Sequence, residues 1–282
     1  MKTLITGASG YFGRALVHRL TNGNAPAGWD PDELILLGHS EQKADELMRS
    51  HIMSVYIGDI GQRSFLEKIF QENRIGRVVH AAAIKYISIS NVNPIPTIET
   101  NIIGSYNLLQ LCKAAGVKEV VGISTDKAIN PINVYGLTKK TMEYMFLDSG
   151  YTICRGVNFF ASSGSVLQIW YNQFQKGAPL TVTDKRCVRY FIGVDDMVDL
   201  VIQSMGRNEV INPPEVWEVE LGALLEAFMS HYKYDKCKVL GLTDGEKLVE
   251  EIDVTSKIVP VDVDTLRELV SREITKWQGL FR

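Results

Sequence analysis

A strand pattern followed at once by a glycine triplet constrains the fold of this chain more than any other stretch. Residues 2–6 read K-T-L-I-T, and the next seven, G-A-S-G-Y-F-G, have G-x-x-G-x-x-G spacing before a helical pattern begins. Glycines at this spacing permit a tight turn and let backbone N–H groups approach a pyrophosphate at the helix N-terminus. The flanking strand and helix make the motif a specific signal for a dinucleotide cofactor. The predicted cofactor contacts in this loop are Gly7, Gly10, Tyr11, Phe12 and Gly13.

Alternating strand and helix patterns continue from this motif to about residue 150. Strand patterns lie at residues 33–37, 55–57, 77–80 and 119–123, and helical patterns lie at residues 64–70, 96–115 and 134–147. This rhythm predicts an α/β protein with a Rossmann-type, doubly wound parallel sheet and right-handed crossovers.

The rhythm changes after residue 150, which predicts a second lobe. A strand pattern at residues 152–160 is followed by a small-polar loop and an aromatic-rich helix. We predict that the cofactor domain spans residues 1–158, with residues 190–205 returning to it. A smaller, interleaved α/β substrate-binding lobe would then comprise residues 159–189 and 206–282.

The end of the second predicted strand bears on which nicotinamide cofactor binds. His39 and Ser40 follow this strand, Lys43 lies close behind them, and no Asp or Glu stands at the strand tip. An acidic residue there would bind the ribose 2′-hydroxyl of NAD, whereas basic and hydroxyl groups accept the 2′-phosphate of NADP. The pattern favours NADP over NAD. The alternative is that these three side chains are only solvated loop residues.

The ends of the third and fourth predicted strands supply further candidate cofactor contacts. Asp59 and Ile60 follow the third strand, and Asp59 could reach the adenine amine. The fourth strand ends in His80 and three alanines, whose small side chains let a cofactor lie flat against the backbone. We expect His80 to be a hydrogen-bonded core histidine rather than a catalytic one. The remaining predicted cofactor contacts are Ala81, Ala82, Ala83 and Asn101, the last a polar interruption in its helical pattern.

The stretch S-T-D-K-A-I-N-P-I-N-V-Y-G-L-T-K-K, at residues 124–140, carries the candidate catalytic groups. Tyr135 and Lys139 are four residues apart in a helical pattern, so they lie on one helix face. An ammonium group near a phenol lowers the phenol pKa from its usual value of about 10, which lets the tyrosine accept a proton near neutral pH. Taken alone, such a pair usually lies on a solvated helix face. The glycine motif at the start of the chain makes the catalytic interpretation stronger. Thr125, Asp126 and Lys127 stand at a strand end, where open α/β sheets bind ligands.

Composition excludes several classes of partner. A net charge of −3 gives no reason to expect nucleic acid or an anionic membrane as a partner. The four cysteines are far apart and form no C-x-x-C pair, so we expect no metal site, no disulfide framework and a reducing cytoplasm. The N-terminus lacks the apolar core of a signal peptide, and no run approaches the roughly 20 apolar residues that span a bilayer. We expect a soluble, cytoplasmic protein.

Several motifs together resemble a known family. They are T-G-A-S-G-Y-F-G at 6–13, H-A-A-A-I-K at 80–85, T-N-I-I-G-S at 100–105, the stretch at 124–140, G-V-N-F-F-A-S-S-G-S-V at 156–166, P-L-T-V-T-D at 179–184, V-R-Y-F at 188–191 and D-G-E-K-L at 244–248. With these motifs the chain resembles the extended short-chain dehydrogenase/reductase superfamily, over most of its length. Within it, the chain is similar to nucleotide-sugar 4,6-dehydratases of the polysaccharide-biosynthesis type, especially inverting UDP-N-acetylglucosamine 4,6-dehydratases. The Thr-Asp-Lys triplet is the specific part, because related epimerases have small hydroxyl residues at its second and third positions.

The resemblance implies a reaction and a role for each catalytic residue. Such enzymes oxidise sugar carbon 4, remove water across carbons 5 and 6, and return the hydride to carbon 6. By position, Tyr135 would be the base for the 4-hydroxyl, with Lys139 lowering its pKa and binding the nicotinamide ribose. Lys127 would be the base at carbon 5, Asp126 the acid for the departing hydroxyl, and Thr125 a hydrogen-bonding partner near the 4-oxygen. The alternative is that Asp126 and Lys127 form an ordinary surface ion pair.

The same resemblance implies contacts with a nucleotide-sugar substrate. The implied residues are Lys85, Asn158, Ser165, Arg189 and Glu246. The chain departs from the family at residues 243–247, where T-D-G-E-K replaces R-P-G-E-K and removes a bidentate phosphate contact. Lys185 or Arg186 would be the compensating cation, or else this basic cluster is a solvated hairpin.

Two other functions fit the same scaffold. A nucleotide-sugar 4-epimerase needs only Thr125 and Tyr135, and a non-enzymatic NADP-binding sensor needs the glycine loop but not the Tyr135–Lys139 pair. In the superfamily that the chain resembles, the helices at 96–115 and 134–147 commonly form a dimer interface, which implies at least a homodimer.

Overall fold

The computed structural model describes residues 1–23, 25–50 and 54–280. The strands are β1 Lys2–Thr6, β2 Leu34–Gly38, β3 Ser54–Ile57, β4 Ile75–His80, β5 Glu119–Thr125, β6 Thr152–Gly156, β7 Asn158–Phe159, β8 Leu180–Val182, β9 Val188–Ile192, β10 Val210–Ile211, β11 Glu215–Glu220, β12 Cys237–Val239 and β13 Lys257–Pro260. The α-helices are α1 Tyr11–Thr21, α2 Glu41–Ser50, α3 Arg63–Glu72, α4 Ile87–Val92, α5 Pro94–Ile98, α6 Ser105–Ala114, α7 Val134–Asp148, α8 Val166–Gln175, α9 Val194–Gln203, α10 Leu221–Tyr232 and α11 Val263–Leu280.

Seven strands form a sheet in the order β10-β6-β5-β4-β1-β2-β3. The defined pairings within it, such as Thr6 opposite His80, are parallel. The strand order reverses direction between β1 and β4, so the carboxyl ends of these two strands flank the position where open α/β sheets bind ligands. The predicted Rossmann-type, doubly wound parallel sheet is confirmed.

The chain divides into two compact units. The first comprises Met1–Arg155 and Asp195–Ile211, and the second comprises Gly156–Val194 and Asn212–Arg282. Strand β2 of the first unit is buried along its whole length, as expected of a parallel strand covered on both faces. The assignment of one lobe to the cofactor and the other to the substrate stays a prediction.

The second unit has its own sheet and its own core. Strands β13, β11, β9 and β7 form a four-stranded sheet in that order, and β11 runs antiparallel to β9. Aromatic side chains such as Trp170 and Phe228 are fully buried in its core, where their rings meet edge to face. Within the part of the chain that the structure describes, no helix is both long enough and apolar enough to cross a bilayer.

The helix predicted at residues 96–115 is interrupted. Between α5 and α6, residues Glu99–Gly104 form a π-helical turn. At this turn the Asn101 side chain bonds to the backbone of Ile84, and a Cβ at Gly104 would lie 2.4 Å from a side-chain carbon of Ile60. These contacts draw the helix close to two neighbouring loops, which explains the irregular turn.

The strand predicted at residues 152–160 is also two elements rather than one. Strand β6 ends at Gly156 in the seven-stranded sheet, whereas β7 pairs with Phe191 and Ile192 of β9. The Asn158 side chain donates to the carbonyl of Tyr190, which holds the start of β7 against β9. The stretch predicted as one strand therefore divides between two sheets.

Candidate active site

The glycine loop between β1 and α1 is packed too closely for side chains. Gly7 has φ +71, and a Cβ on it would lie 2.7 Å from the carbonyl carbon of Ala81. A Cβ on Gly13 would lie 2.4 Å from the carbonyl oxygen of Gly7. Gly10 begins α1 without a side-chain cap, and the first turn carries no acidic residue. The first N–H groups of α1 can therefore bind an anion, which fits the pyrophosphate of a dinucleotide.

Arg14 is a residue that sequence analysis missed in this region. Tyr11, Phe12 and Arg14 are all buried in the first turns of α1. Arg14 Nε donates to the carbonyl of Ser9, and its Nη2 donates to the carbonyl of Lys43 at 3.2 Å. Arg14 therefore ties the glycine loop to the start of α2. The signal in the sequence that could have pointed to this residue was an arginine directly after the third glycine of the motif.

The residues after β2 gather at the start of α2. His39 is exposed, whereas Ser40 and Lys43 are half-buried. The backbone N–H of Lys43 donates to the Ser40 hydroxyl at 3.4 Å, so Ser40 helps to begin the helix. Their contact with a cofactor phosphate stays a prediction.

The two predicted cofactor contacts after β3, Asp59 and Ile60, differ in how deeply their side chains are buried. Asp59 is half-buried, and its Oδ1 accepts the N–H of Gly61 at 2.8 Å. Ile60 is buried in the core of the first unit. Its side chain therefore serves packing, and only its backbone is left to contact a cofactor.

His80 is fully buried at the end of β4, and both of its ring nitrogens are hydrogen-bonded. Nδ1 lies 2.7 Å from the Thr6 hydroxyl, and Nε2 lies 2.9 Å from the Ser105 hydroxyl. The Ser105 hydroxyl donates to the carbonyl of Asn101, so it accepts from Nε2, and Nδ1 accepts from Thr6. Burial, helped by the charge of Lys139, lowers the pKa of His80 to about 3. This is a neutral core histidine that links β1, β4 and α6.

Asn101 and the alanines after β4 hold the loop beside the glycine turn. The N–H groups of Ala81 and Ala82 donate to the carbonyl and the hydroxyl of Thr6. The Asn101 side chain is buried; it accepts from the N–H of Ile84 and donates to the hydroxyl of Thr138 at 3.0 Å. Asn101 thus positions this loop against α7, and a direct contact with the cofactor stays a prediction.

The Thr-Asp-Lys triplet forms a compact hydrogen-bonded group at the end of β5. Thr125 is the last residue of the strand, and Asp126–Ala128 form a 3₁₀ turn. Oδ1 of Asp126 accepts from the Thr125 hydroxyl at 2.7 Å and lies 3.1 Å from Lys127 Nζ. The side chains of Asp126 and Lys127 are 2% and 17% exposed. An ion pair does form, but it is buried rather than at the surface, where such pairs contribute little.

Helix α7 begins against this turn. The side chain of Asn133 caps the helix by accepting the N–H of Gly136 at 2.8 Å. A Cβ at Gly136 would lie 2.3 Å from the carbonyl oxygen of Lys127, so only glycine permits this approach. Tyr135 therefore lies in the helix turn that packs directly on the Thr-Asp-Lys triplet.

Lys139 is buried one helix turn after Tyr135. Its Nζ lies 3.2 Å from the sulfur of Met142. Burial lowers the pKa of Lys139 to about 7, and the negative charge of Glu143 partly opposes this shift. The charge of Lys139 near neutral pH therefore depends on the Glu143 carboxylate.

Lys85 lies in the loop after β4 with its ammonium 5.4 Å from the centre of the Tyr86 ring. Solvent reaches the Lys85 side chain, yet the protein atoms around its ammonium lower its pKa to about 8, and the charge of Lys43 adds to this effect. Lys85, a predicted substrate contact, is therefore close enough to Lys43, a predicted cofactor contact, for their charges to interact.

In the second unit, three predicted substrate contacts gather around Glu250. Arg189 Nε lies 3.5 Å from Glu250, and Arg189 Nη2 lies 3.9 Å from Glu246. Asn158 Nδ2 donates to Glu250 at 3.0 Å. Glu250 was missed by sequence analysis, since it lies beyond the recognised motif. Ser165 does not join this group, because its hydroxyl donates to the carbonyl of Phe160.

The basic cluster that includes Arg189 divides into two environments. Arg189 is buried, and its Nη1 donates to the carbonyls of Val188 and Leu248. The Arg186 side chain is 76% exposed and forms a two-bonded pair with Asp184, which lowers the pKa of that carboxyl to about 2. Arg186 therefore fits the solvated-hairpin interpretation. Within the described ranges, no group of His, Cys, Asp and Glu is arranged to hold a metal ion.

Comparison with known proteins identifies the family. Residues 3–266 match the family described as polysaccharide biosynthesis protein. The chain belongs to this family. A relative in Campylobacter jejuni, named UDP-N-acetylglucosamine 4,6-dehydratase (inverting), is 31% identical over 265 residues, which cover 88% of this chain and 75% of the relative. The predicted resemblance to nucleotide-sugar 4,6-dehydratases of the polysaccharide-biosynthesis type is confirmed.

Two further matches show how widely the scaffold is used. A UDP-glucose 4-epimerase of Rickettsia akari is 30% identical over 280 residues, covering 93% of this chain and 80% of the epimerase. The crystal structure of a dTDP-glucose 4,6-dehydratase from Streptomyces venezuelae, solved with NAD bound, superposes with a TM-score of 0.81 over 99% of this chain and 100% of that one, at 20% identity. At that identity the match supports the fold.

Proposed function

We propose that this protein is a nicotinamide-dependent nucleotide-sugar 4,6-dehydratase that converts UDP-N-acetylglucosamine to a 4-keto-6-deoxy sugar with inversion at carbon 5. The observation that carries the proposal is the buried Asp126–Lys127 pair, joined to Thr125 at the end of β5. The inverting dehydratase named among its relatives supports the same reaction. Such a step belongs to surface polysaccharide or glycan biosynthesis.

The catalytic pair can exist in two forms that differ by one proton transfer. Lys127 must be neutral to take the proton from carbon 5, and Asp126 must be protonated to assist departure of the 6-hydroxyl. A proton moving across the 3.1 Å between Lys127 Nζ and Asp126 Oδ1 converts the ion pair into this neutral form. Each elimination then returns the pair to lysine ammonium and aspartate. The contact therefore restores the acid and the base together.

Tyr135 and Lys139 serve the first step of the proposed reaction. Tyr135 takes the proton of the 4-hydroxyl, and the Lys139 ammonium stabilises the phenolate that does so. A nicotinamide cofactor would supply the hydride acceptor and later the hydride donor. The glycine loop, with no room for a Cβ at Gly7 or Gly13, would hold its pyrophosphate.

For the cofactor we propose NADP. No carboxylate stands at the tip of β2, and His39, Ser40 and Lys43 gather there instead. Fluorescence titration should show tighter binding of NADP than of NAD, and Lys43→Glu should reverse the order by adding a charge that repels the 2′-phosphate. Gln42→Glu, on the same helix, is the matched control and should leave NADP preferred. Equal binding of both cofactors by the wild type would refute the preference.

We propose that Arg189, Asn158, Ser165 and Glu246 of the second unit bind the nucleotide sugar. We propose the same role for Lys85 of the first unit. We assign the diphosphate to Arg189, a buried cation, rather than to the exposed Arg186, which is paired with Asp184. A phosphate on Arg189 would compete with Glu250, which lies 3.5 Å from its Nε. Substrate affinity should therefore be sensitive to charge at this carboxylate.

The decisive experiment is incubation of the purified protein with UDP-N-acetylglucosamine and NADP in deuterated water. Mass spectrometry should show loss of one water, and NMR should show deuterium at carbon 5. Lys127→Ala should stop elimination, whereas Lys118→Ala, at an exposed lysine directly before β5, should not. If no UDP-, GDP-, CDP- or dTDP-hexose loses water, the proposal is wrong.

A second candidate function is 4-epimerisation, which the similarity to the Rickettsia epimerase favours. An epimerase needs Thr125 and Tyr135 but has no use for a buried acid–base pair. It would yield an isomer of unchanged mass, and Lys127→Ala would leave its turnover largely intact. The same mass spectra therefore separate the two functions.

We also propose that the protein forms at least a homodimer through α4, α5, the π-helical turn, α6 and α7. These elements expose an unusual number of apolar side chains: Ile89, Val92, Ile95, Ile103, Tyr106, Leu137 and Tyr144. Light scattering should give a dimer or larger assembly, and Leu137→Glu should weaken it by placing a charge in the interface. Val254→Glu, at a side chain that is 99% exposed in the second unit, is the control. A wild-type monomer at micromolar concentration would contradict the proposal.

A further inference from the structure

Glu143 is a buried carboxylate that no step of the proposed reaction uses. It lies on α7, one turn after Lys139, and its side chain is 2% exposed. Its Oε1 accepts from the Ser124 hydroxyl at 2.7 Å and from Arg155 Nε at 2.7 Å. Its Oε2 accepts from Arg155 Nη2, also at 2.7 Å. A carboxylate at this depth costs free energy unless its partners compensate it, so its presence calls for a reason.

The partners of Glu143 come from two different strands. Ser124 precedes the catalytic triplet directly on β5, and Arg155 lies on β6, the neighbouring strand of the sheet. One carboxylate thus fastens the strand that leads into Asp126 and Lys127 to the helix that carries Tyr135 and Lys139. A shift of α7 along β5 would break the Ser124 bond and the Arg155 fork together.

Glu143 also acts on Lys139 through its charge. Burial favours the neutral amine of Lys139, and the Glu143 carboxylate opposes this. His80 on β4 stays neutral, Asp126 and Lys127 pair with each other, and Arg155 and Lys140 are cations facing Glu143 itself. Of these groups, Glu143 is the one whose negative charge helps to keep Lys139 protonated.

We propose that Glu143 is a positioning residue that sets the register of α7 on β5 and holds the positive charge on Lys139. This inference adds a residue to the proposed dehydratase site, and its effect on turnover rests on that function. A purely structural ion pair would contribute to stability alone. A charge-holding role predicts in addition that the pH at which Lys139 loses its proton depends on residue 143.

The experiment follows the ionisation of Lys139 against pH by NMR of protein labelled with carbon-13 at its lysine side chains, which needs neither substrate nor cofactor. Comparison with Lys139→Met assigns the Lys139 signal among those of the other lysines. Glu143→Gln keeps the size of the side chain and removes its charge, so Lys139 should lose its proton at a lower pH than in the wild type. Asp148→Asn, which neutralises an exposed acid at the end of the same helix, should not change that pH.

A second variant tests the register separately. Ser124→Ala removes one hydrogen bond and leaves the charge of Glu143 in place. It should lower kcat by about tenfold with little change in KM, because only the alignment of the catalytic groups is lost. Its Lys139 ionisation curve should match that of the wild type.

The outcomes separate this inference from the proposed function. An unchanged Lys139 midpoint in folded Glu143→Gln overturns the charge-holding role. A kcat within about twofold of wild type in Ser124→Ala overturns the register role. If Glu143→Gln does not fold, Glu143→Asp serves instead: it keeps the charge and should retain the wild-type midpoint while losing turnover, and a moved midpoint overturns the role. If the midpoint shift occurs but no sugar nucleotide is dehydrated, the inference stands and the proposed function fails.

Discussion

Acid should destabilise the protein through His80. In the folded chain burial lowers the pKa of this histidine to about 3, against an ordinary value of 6.5. As the pH falls below 6.5, the unfolded chain gains a proton at this ring while the folded chain does not. The stability that depends on neutral His80 is therefore complete above pH 6.5 and is lost progressively toward pH 3.

The size of the loss follows from the shift. Each pH unit between the two pKa values corresponds to about 1.4 kcal/mol, so lowering the pH to about 4.5 should remove about 3 kcal/mol. Globular proteins are stable by roughly 5–15 kcal/mol in total, so the effect is large enough to measure. The buried hydrogen bonds to Thr6 and Ser105 hold the ring in place and prevent it from escaping to solvent as it ionises.

The assay is urea unfolding followed by circular dichroism at a series of pH values from about 7.5 to 4.5. His80→Asn lacks the titrating ring, so its unfolding free energy should fall less steeply with acid, by about 3 kcal/mol over this range. His18→Asn, at an exposed histidine of α1, should retain the wild-type slope. Equal slopes for wild type and His80→Asn would refute the reasoning, whatever the overall stability of the variant.

The remaining predictions concern two close contacts. Gly136→Ala should lower turnover at least about tenfold, because its Cβ must push α7 away from the Lys127 carbonyl. Gly279→Ala, which has open space around its Cβ, is the control and should not lower turnover. Equal steady-state rates for the two variants would contradict this prediction. Arg189→Gln should weaken UDP binding in calorimetry by about ten- to a hundredfold, since charge-assisted hydrogen bonds contribute roughly 1.5–3 kcal/mol. The exposed Arg186→Gln is its control, and equal losses in both would show that the phosphate contact is misassigned.

Sequence predicted the parts of the molecule that depend on short spacing. The glycine loop, the Thr-Asp-Lys triplet and the Tyr135–Lys139 pair each lie within one turn or one helix, where residue type and spacing fix the geometry. The parallel sheet followed from the strand–helix rhythm and is confirmed.

The parts that sequence missed depend on distant partners. Glu143 bonds to Ser124, 19 residues away, and Glu250 bonds to Asn158, 92 residues away, so neither role is visible as local spacing. The π-helical turn at Glu99–Gly104 leaves the apolar pattern of its helix intact, which hides the interruption. The break between β6 and β7 was missed because apolar residues such as Ile153 and Phe159 lie on both sides of it.

The contact between Lys127 and Asp126 also couples each turnover of the proposed enzyme to the next. After one elimination, any of the three equivalent hydrogens on the Lys127 ammonium can cross 3.1 Å to Asp126. Asp126 then holds the acid proton for the following sugar, and Lys127 is again the neutral base. The state in which one substrate leaves the pair is therefore the state from which the next reaction begins.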